Sequence, residues 1–156
     1  MRGVYRVLAG LVALGVVVQA ASMVYAVAGL GKWVEDDGGV LNKQLLDSEN
    51  AEFPGVGGFM THGINGTTLI PLIVLLLLIV SFFTKMAGAT RRAAILFGLV
   101  AVQVFLGIFS HELPAAIVLH ALNAFAIFVL AGLTARSVGA APAAHAPAAS
   151  QASVPV

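Results

Sequence analysis

Four long runs of apolar residues dominate the chain, and shorter polar segments separate them. The runs cover residues 7–30, 61–83, 93–110 and 115–136. Each run is close to the about 20 residues that an α-helix needs to cross the hydrocarbon core of a bilayer. In that core only helices and closed barrels satisfy their backbone, and a membrane-spanning strand needs only about 10 residues. The pattern therefore predicts an all-α membrane protein, with a four-helix transmembrane domain over residues 1–136.

The composition indicates the same class of protein. Of the 156 residues, 60% are hydrophobic and only 10% are charged, and the mean hydropathy is +1.00. A soluble domain of this length needs a larger charged shell. We therefore expect the lipid bilayer as the main partner. The net charge of +1 gives no indication of nucleic-acid binding.

The chain contains no cysteine. Its sequence therefore excludes disulfides, thiol redox pairs, cysteine-ligated zinc or iron–sulfur clusters, and covalently attached c-type haem. Any metal or cofactor has to be held by histidine, carboxylate, methionine or backbone groups.

The first apolar run has some features of a secretory signal peptide. Arg2 and Arg6 precede it, and Ala26-Val27-Ala28 resembles a cleavage site. The apolar part of a signal peptide has about 7–15 residues, however, and this run is longer. We therefore interpret it as the first transmembrane helix.

Charged residues are divided sharply between the two ends of the predicted helices. Basic residues without any acidic neighbour lie before the first helix, between the second and third, and after the fourth: Arg2, Arg6, Lys85, Arg91, Arg92 and Arg136. All seven acidic residues lie in the other two connections, which contain only Lys32 and Lys43 as basic residues. The positive-inside rule then predicts a multi-pass protein of the plasma membrane with both termini in the cytoplasm.

Residues 31–60 form the long outer loop, and residues 137–156 follow the last helix. Trp33 is typical of an interfacial aromatic anchor. Leu41 and Leu45 would share one face of a short helix lying on the membrane. The Ala- and Pro-rich tail lacks the apolar variety needed for packing, so we predict a disordered cytoplasmic tail in which His145 has no role.

The two halves of the chain share a pattern of polar residues. Val16-Val17-Val18-Gln19 in the first helix resembles Val100-Ala101-Val102-Gln103 in the third. His62-Gly63-Ile64-Asn65 near the start of the second helix resembles His120-Ala121-Leu122-Asn123 in the fourth. Two hairpins of the same direction form parallel repeats, related by a pseudo-twofold axis along the membrane normal. The pattern thus predicts a bundle built from two equivalent hairpins.

This symmetry predicts where the polar residues meet. Equivalent residues lie at similar depth, so His62 and His120 are expected to face each other across the bundle core, one or two turns below its outer surface. Asn65 and Asn123 follow at the i+3 position and share the same helix face. Small residues that leave space between the helices flank this face at Gly63, Gly66, Ala121 and Ala124.

Polar and ionisable groups inside a membrane are costly and commonly functional. A symmetric pair of imidazoles without thiolates suits the axial positions of a b-type haem, whereas zinc needs more ligands than these helices offer. The alternative is that each histidine only hydrogen-bonds a neighbouring helix at Gln19 or Gln103 and stabilises an accessory or scaffold subunit. A proton-coupled carrier is a third hypothesis, disfavoured because no carboxylate, lysine or arginine lies inside the apolar runs, the last of which ends at Arg136.

The residues around the histidines resemble a known family. Gln103-Val104-Phe105-Leu106-Gly107, followed by His120-Ala121-Leu122-Asn123-Ala124, resembles the signature of helices 3 and 4 in one half of haem A synthase. The segment around His62 resembles the preceding histidine helix, so the resemblance covers about residues 7–135. Those enzymes resemble two fused four-helix bundles, each with a histidine pair facing a haem. The resemblance implies that His62 and His120 are axial ligands of a haem near the outer face.

Two departures from that family bear on the reaction. The catalytic half of haem A synthase has a carboxylate one helical turn before its first histidine, and Phe59 stands at that position here. The outer-loop cysteine pair of many of these enzymes is also missing. The chain therefore resembles a redox carrier or an accessory subunit of a respiratory or other membrane complex more than a stand-alone enzyme. Its Ala-, Val- and Gly-rich composition also resembles small actinobacterial membrane proteins, an alternative family.

The candidate site contains further residues beside the two proposed ligands. We predict as cofactor-binding residues His62, His120, Asn65, Asn123, Gln19, Gln103, Gly66 and His111. His111 lies in the short outer turn and is either an exposed loop residue or, like Lys32 or Lys43, a partner for haem propionates. Pro71 in the second helix is expected to kink that helix and release the Thr67 carbonyl.

Overall fold

A computed structural model describes residues 1–47, 52–111 and 113–139 of the chain. In chain order its elements are α1 (Arg2–Asp36), α2 (Lys43–Asp47), α3 (Gly57–Ile64), a π-helical turn (Asn65–Leu69), α4 (Ile70–Ser81), α5 (Ala89–Ile108), a 3-10 turn (Phe109–His111), α6 (Pro114–Arg136) and a second 3-10 turn (Ser137–Gly139). α3, the π-helical turn and α4 follow one another without a break and form one long helix.

Within the described residues, four helical segments are long and apolar enough to cross a membrane: α1, the continuous helix Gly57–Ser81, α5 and α6. This confirms the predicted all-α membrane fold. The largest difference from the predicted bounds is in α1, whose 35 residues extend about 52 Å, well beyond the about 30 Å of a hydrocarbon core. Lys32 and Asp36 form an ion pair in its last turns, where water can hydrate them.

The four long helices pack in a ring. α1 lies against α3 and α4 on one side and against α6 on the other, and α5 lies between α4 and α6. α1 is therefore diagonally opposite α5, and the Gly57–Ser81 helix is diagonally opposite α6. A pseudo-twofold axis between two parallel hairpins requires this arrangement.

The charges distinguish the two ends of the bundle. We call the end with the α4–α5 connection and residue 1 the basic end, since Arg2, Lys85 and Arg91 lie there. The other end, with the α1–α3 connection and the α5–α6 turn, is called the acidic end after Glu35 and Asp36.

The hydrophobic core is concentrated in the half of the bundle nearer the basic end. Its fully buried members among the described residues include Tyr5, Ala9, Val12, Val74, Leu77, Ala93, Leu96 and Ala131. The buried residues of α1 and α5 match one another, because Ala9 and Ala93 are 84 positions apart, as are Val12 and Leu96. The repeat seen in the polar residues therefore extends through the apolar core.

Close backbone approaches hold α1 against the start of the second long helix. A β-carbon on Gly58 would lie 2.9 Å from the β-carbon of Ala26. Gly55 adopts a φ of +91°, and a β-carbon at this position would lie 2.7 Å from the Tyr25 carbonyl oxygen. Small residues at such positions permit the close packing that associates helices in lipid.

The α1–α3 connection differs in detail from the predicted surface helix. α2 begins at Lys43, so Leu45 is helical while Leu41 precedes the helix. The side-chain oxygen of Asn42 accepts a hydrogen bond from the Leu45 amide at 2.9 Å, which is an N-terminal cap. Trp33 packs against Phe53 with ring centroids 5.9 Å apart.

The predicted tail begins with an ordered turn. Ser137 donates a hydrogen bond to the Thr134 carbonyl at 2.7 Å, at the start of the second 3-10 turn. The remainder of the predicted tail, including His145, lies outside the described residues.

Candidate functional site

The two histidines of the repeat meet inside the bundle. His62 comes from α3 and His120 from α6, on diagonally opposite helices. Their ring centroids are 6.2 Å apart and the ring planes are inclined by 42°. The expectation that the two imidazoles face each other is confirmed.

Each imidazole is held by a backbone carbonyl of the other helix in its own hairpin. Nδ1 of His62 lies 3.1 Å from the carbonyl oxygen of Gln19, and Nδ1 of His120 lies 3.2 Å from that of Gln103. A carbonyl oxygen only accepts hydrogen bonds, so Nδ1 must carry the proton in each case. The neutral ring then has an unprotonated Nε2 with a free lone pair.

The two asparagines make the same kind of contact one helical turn away. The side-chain nitrogen of Asn65 donates to the Gly15 carbonyl at 3.1 Å, and that of Asn123 donates to the Leu99 carbonyl at 2.9 Å. Gly15 and Leu99 precede Gln19 and Gln103 by four positions each. Each hairpin therefore has two interhelical hydrogen bonds in the same register.

The glutamine side chains distinguish the two halves. Oε1 of Gln103 accepts a hydrogen bond from Asn123 at 2.7 Å. Oε1 of Gln19 is buried and has no hydrogen-bond partner among the described residues, and its Nε2 lies against Gly66. The residue that corresponds to Gly66 in α6 is Ala124, whose methyl group occupies the equivalent space. The exchange of alanine for glycine accounts for the different position of the Gln19 carboxamide.

A cavity of about 200 Å³ lies beside the two rings. Both histidines and both glutamines line it, together with Gly63, Gly66, Thr67, Val104, Gly107 and Ile108. A β-carbon on Gly107 would lie 3.2 Å from Cε1 of His120, so only glycine leaves this ring its present space.

Two of the predicted cofactor-binding residues make contacts within the bundle. The side chains of Asn65 and Asn123 bond to the backbone of the neighbouring helix and are not among the groups that line the cavity, and their contact with a cofactor stays a prediction. Sequence reasoning missed Gly107 as a lining residue. The signal was its position four residues after Gln103, on the same face of α5.

A π-helical turn changes the register of the second long helix relative to α6. On its acidic-end side, equivalent residues are 58 positions apart, as His62 and His120 are. On its basic-end side, the buried residues Val74 and Ala131 are only 57 positions apart. The turn at Asn65–Leu69 therefore contains one residue more than α6 has. Single-turn π-bulges commonly occur at functional sites.

Pro71 follows this turn directly. The expected kink takes the form of the π-helical turn, in which the Ile70 amide donates to the Asn65 carbonyl, five positions earlier. A proline ring in an α-helix clashes with the carbonyl four residues before it, and the wider π-helical turn relieves that clash at Thr67. Thr67 directs its own hydroxyl to the Gly63 carbonyl at 2.7 Å.

Several residues singled out in the sequence lie at the acidic end. Phe59 packs edge-on against Phe53 with centroids 6.1 Å apart. Lys32 is paired with Asp36, and Lys43 begins α2. His111 belongs to the 3-10 turn after α5, but its side chain lies outside the described part of the structure, so its predicted contact with a propionate stays a prediction.

No protein-family model matches this chain, and neither a curated protein nor a solved structure matches it. Among the described residues, no group of three or more histidine, cysteine, aspartate or glutamate side chains is placed to hold a metal ion. The function is therefore inferred from the geometry of the paired histidines.

Proposed function

We propose that this chain binds one haem b between His62 and His120 and carries electrons within the membrane, alone or as a subunit of a larger respiratory complex. The observation that carries the proposal is the pairing of two imidazoles, each with Nδ1 bonded to a carbonyl, an arrangement that leaves Nε2 available to a metal ion.

The spacing of the rings fits one metal ion between them. Two imidazoles bound in trans, with metal–nitrogen distances of about 2 Å, have ring centroids about 6 Å apart. The centroids of His62 and His120 are 6.2 Å apart. Because a porphyrin supplies the equatorial nitrogens itself, two protein ligands are sufficient for a haem, whereas a structural zinc site needs four.

The surroundings of the rings also fit a haem. Gly66 and Gly107 leave space where a β-carbon would contact Gln19 or His120. The chain has no cysteine that would compete as an axial ligand. A histidine ligand whose other nitrogen bonds to a carbonyl has a fixed tautomer and ring orientation, and it is a stronger base.

The roles of the residues follow from these contacts. A bound haem supplies an iron that accepts and releases a single electron. His62 and His120 would occupy both axial positions, so no open position remains for a substrate. The Gln19 and Gln103 carbonyls orient the rings. Asn65 and Asn123 fix the helices that present those carbonyls, and the apolar walls limit water and thereby influence the reduction potential.

We further propose that the basic end faces the cytoplasm, which places both ends of the four-helix domain inside and the haem near the outer face of the plasma membrane. The basic residues near the start of α1, around the α4–α5 connection and at the end of α6 support this orientation. Fusion of a fluorescent protein after residue 156 is expected to give fluorescence, whereas an alkaline phosphatase fusion there is expected to be inactive. The opposite pattern would reverse the orientation.

A second candidate function is a colourless accessory subunit. It is favoured by the fact that both imidazoles already bond across their hairpins. Such interhelical hydrogen bonds contribute about 1 kcal/mol each in membrane bundles. In this case the histidines stabilise the bundle and the glycine-lined space holds lipid or water.

The absorption spectrum of the purified full-length protein tests these two candidates. After expression with added haem precursor, we expect a Soret band and sharp α and β bands on reduction, with one haem per chain. His62→Ala and His120→Ala should each abolish the low-spin spectrum. His145→Ala is the matched control, because it removes a histidine remote in sequence from the site.

A colourless protein would contradict the haem proposal and leave the accessory role. A haem spectrum that survives both His62→Ala and His120→Ala would contradict the assigned ligands. Thermal stability measured on the same samples shows whether the variants remain folded.

A further inference from the structure

The cavity beside the histidines opens at one particular interface of the bundle. Its walls come from Gly63 and Thr67 of the second long helix and from Val104 and Ile108 of α5. Gly63, Thr67 and Ile108 are exposed on the perimeter of the bundle. α5 packs along α4, but within the described residues it makes no comparable contact with α3. A cleft therefore separates α3 from α5.

The pseudo-equivalent interface on the opposite side is formed by α1 and α6, which pack against each other. The repeat assigns larger residues to the equivalent positions: Ala121 replaces Gly63, Ala124 replaces Gly66, and Met23 replaces Gly107. The two hairpins share their histidine contacts but differ at these three positions, so the two interfaces are not equivalent.

The rim of the cleft is suited to contact with hydrocarbon. Val104 and Ile108 are apolar, and the Thr67 hydroxyl is bonded to the Gly63 carbonyl of its own helix at 2.7 Å. It therefore presents no free donor to the lipid. The polar groups of the cavity, at Gln19 and the two imidazoles, lie behind this apolar rim and are half-buried.

We propose that the α3–α5 cleft is a lateral entrance through which haem passes from the bilayer into the site between the histidines. This inference rests on the proposed haem-binding function. A flat, largely apolar macrocycle partitions into lipid, and a slot lined by glycine between two helices admits it without unfolding the hairpins. The bonds from His62 to Gln19 and from His120 to Gln103 lie within hairpins, so they remain intact while the space between the hairpins is filled.

Blocking the rim tests the route of entry. No atom of a neighbouring helix lies within 4 Å of a β-carbon built on Gly63, so Gly63→Leu is expected to fold while its side chain fills the cleft. Ala121→Leu is the matched control at the equivalent position of the α1–α6 interface. Apo-protein in liposomes is mixed with vesicles preloaded with haem, and the growth of the Soret band is followed.

We expect the initial rate of uptake to be about ten-fold lower in Gly63→Leu than in Ala121→Leu and the wild type, as for association that needs a structural opening. Each rate is normalised to the final amount of haem that the same variant binds, so that a change in the capacity of the site does not enter the comparison. If the wild type binds haem but Gly63→Leu takes it up at the same rate, the proposed entrance is overturned and the proposed haem site is not. A wild type that takes up no haem would overturn both.

A second measurement does not depend on haem. Because the natural chain lacks cysteine, Gly63→Cys gives a single site for a nitroxide label, with Ala121→Cys as its counterpart. In liposomes we expect the label at position 63 to collide more often with lipid-dissolved oxygen than with a water-soluble nickel chelate, and added haem to reduce those collisions. A label that reacts mainly with the chelate would show that the cleft opens to water and would overturn the lateral route.

Discussion

The carboxamide nitrogen of Gln19 occupies the space that a β-carbon on Gly66 would need. In the other half of the bundle the equivalent residue is Ala124, and there the glutamine amide is bonded to its asparagine instead. The two halves thus differ by one methyl group. The Gln103 carboxamide oxygen accepts a hydrogen bond, whereas that of Gln19 is buried without a partner among the described residues.

This relationship predicts the effect of exchanging the two small residues. In Gly66→Ala the new methyl group displaces the Gln19 carboxamide, and the nearby Asn65 becomes its expected partner, as in the other half. Because satisfying a buried polar atom contributes about 1 kcal/mol, we expect the free energy of unfolding in detergent to rise slightly or stay unchanged, and the reduction potential of a haem bound as proposed to shift. Redox titration and denaturant titration measure the two effects.

Ala124→Gly provides the control for that exchange. It makes space beside Gln103, but the bond from Asn123 to Gln103 is already formed at 2.7 Å. We expect a loss of about 1 kcal/mol from the flexibility of glycine in a helix and little change in potential. A potential that responds to Ala124→Gly and not to Gly66→Ala would contradict the role given to Gln19.

Much of the fold was predictable from the sequence, and for a physical reason. A membrane-spanning helix is visible in the sequence as a continuous apolar run. The repeat of His62 and Asn65 at His120 and Asn123 specifies both the depth and the helix face of these residues. The face-to-face position of the histidines followed from symmetry alone. The ends of α1 were less predictable, since Lys32 and Asp36 continue the helix into water, where hydropathy no longer marks it.

Other features of the site were not predictable because they depend on small departures from the repeat. The π-helical turn is visible only when the buried faces of two structured helices are compared, as Val74 and Ala131 show. The asparagine amides reach the Gly15 and Leu99 carbonyls. Sequence spacing specified the helix face of each asparagine, but it did not specify which backbone carbonyl the side chain would reach.

The asparagine contacts predict unequal losses of stability. Asn123 makes two hydrogen bonds, to Leu99 and Gln103, whereas Asn65 makes one, to Gly15. At about 0.6–2 kcal/mol for each interhelical bond, Asn123→Ala should lower the free energy of unfolding by about 1–4 kcal/mol and Asn65→Ala by about half as much. Unfolding in mixed detergent micelles measures both. A larger loss at Asn65 would contradict the hydrogen-bond assignment.

Tyr5 predicts a stability effect at the basic end, far from the histidines. Its side chain is fully buried, and its hydroxyl donates to the Ala89 carbonyl at 2.9 Å, across the bundle. Tyr5→Phe removes this donor, so we expect a loss of about 1 kcal/mol. Tyr25→Phe is the control, because Tyr25 is 65% exposed. Neither variant should alter a haem spectrum, and a spectral change in Tyr5→Phe would contradict the separation of core and site.

The extra residue in the π-helical turn predicts that the two halves tolerate deletions differently. Removing Thr68 leaves a regular α-helix whose register against α6 is uniform, so His62 still faces His120. Removing Ala126 from α6 leaves no extra residue to absorb the change, and it rotates the His120 segment by about 100° relative to the buried Ala131. In the background of His62→Cys and His120→Cys, a short bifunctional thiol reagent should link the two positions in the Thr68 deletion and fail to do so in the Ala126 deletion. Each single cysteine variant controls for links between molecules. If both deletions abolish the link, the π-helical turn does more than accommodate an extra residue, and its geometry itself is needed to present His62.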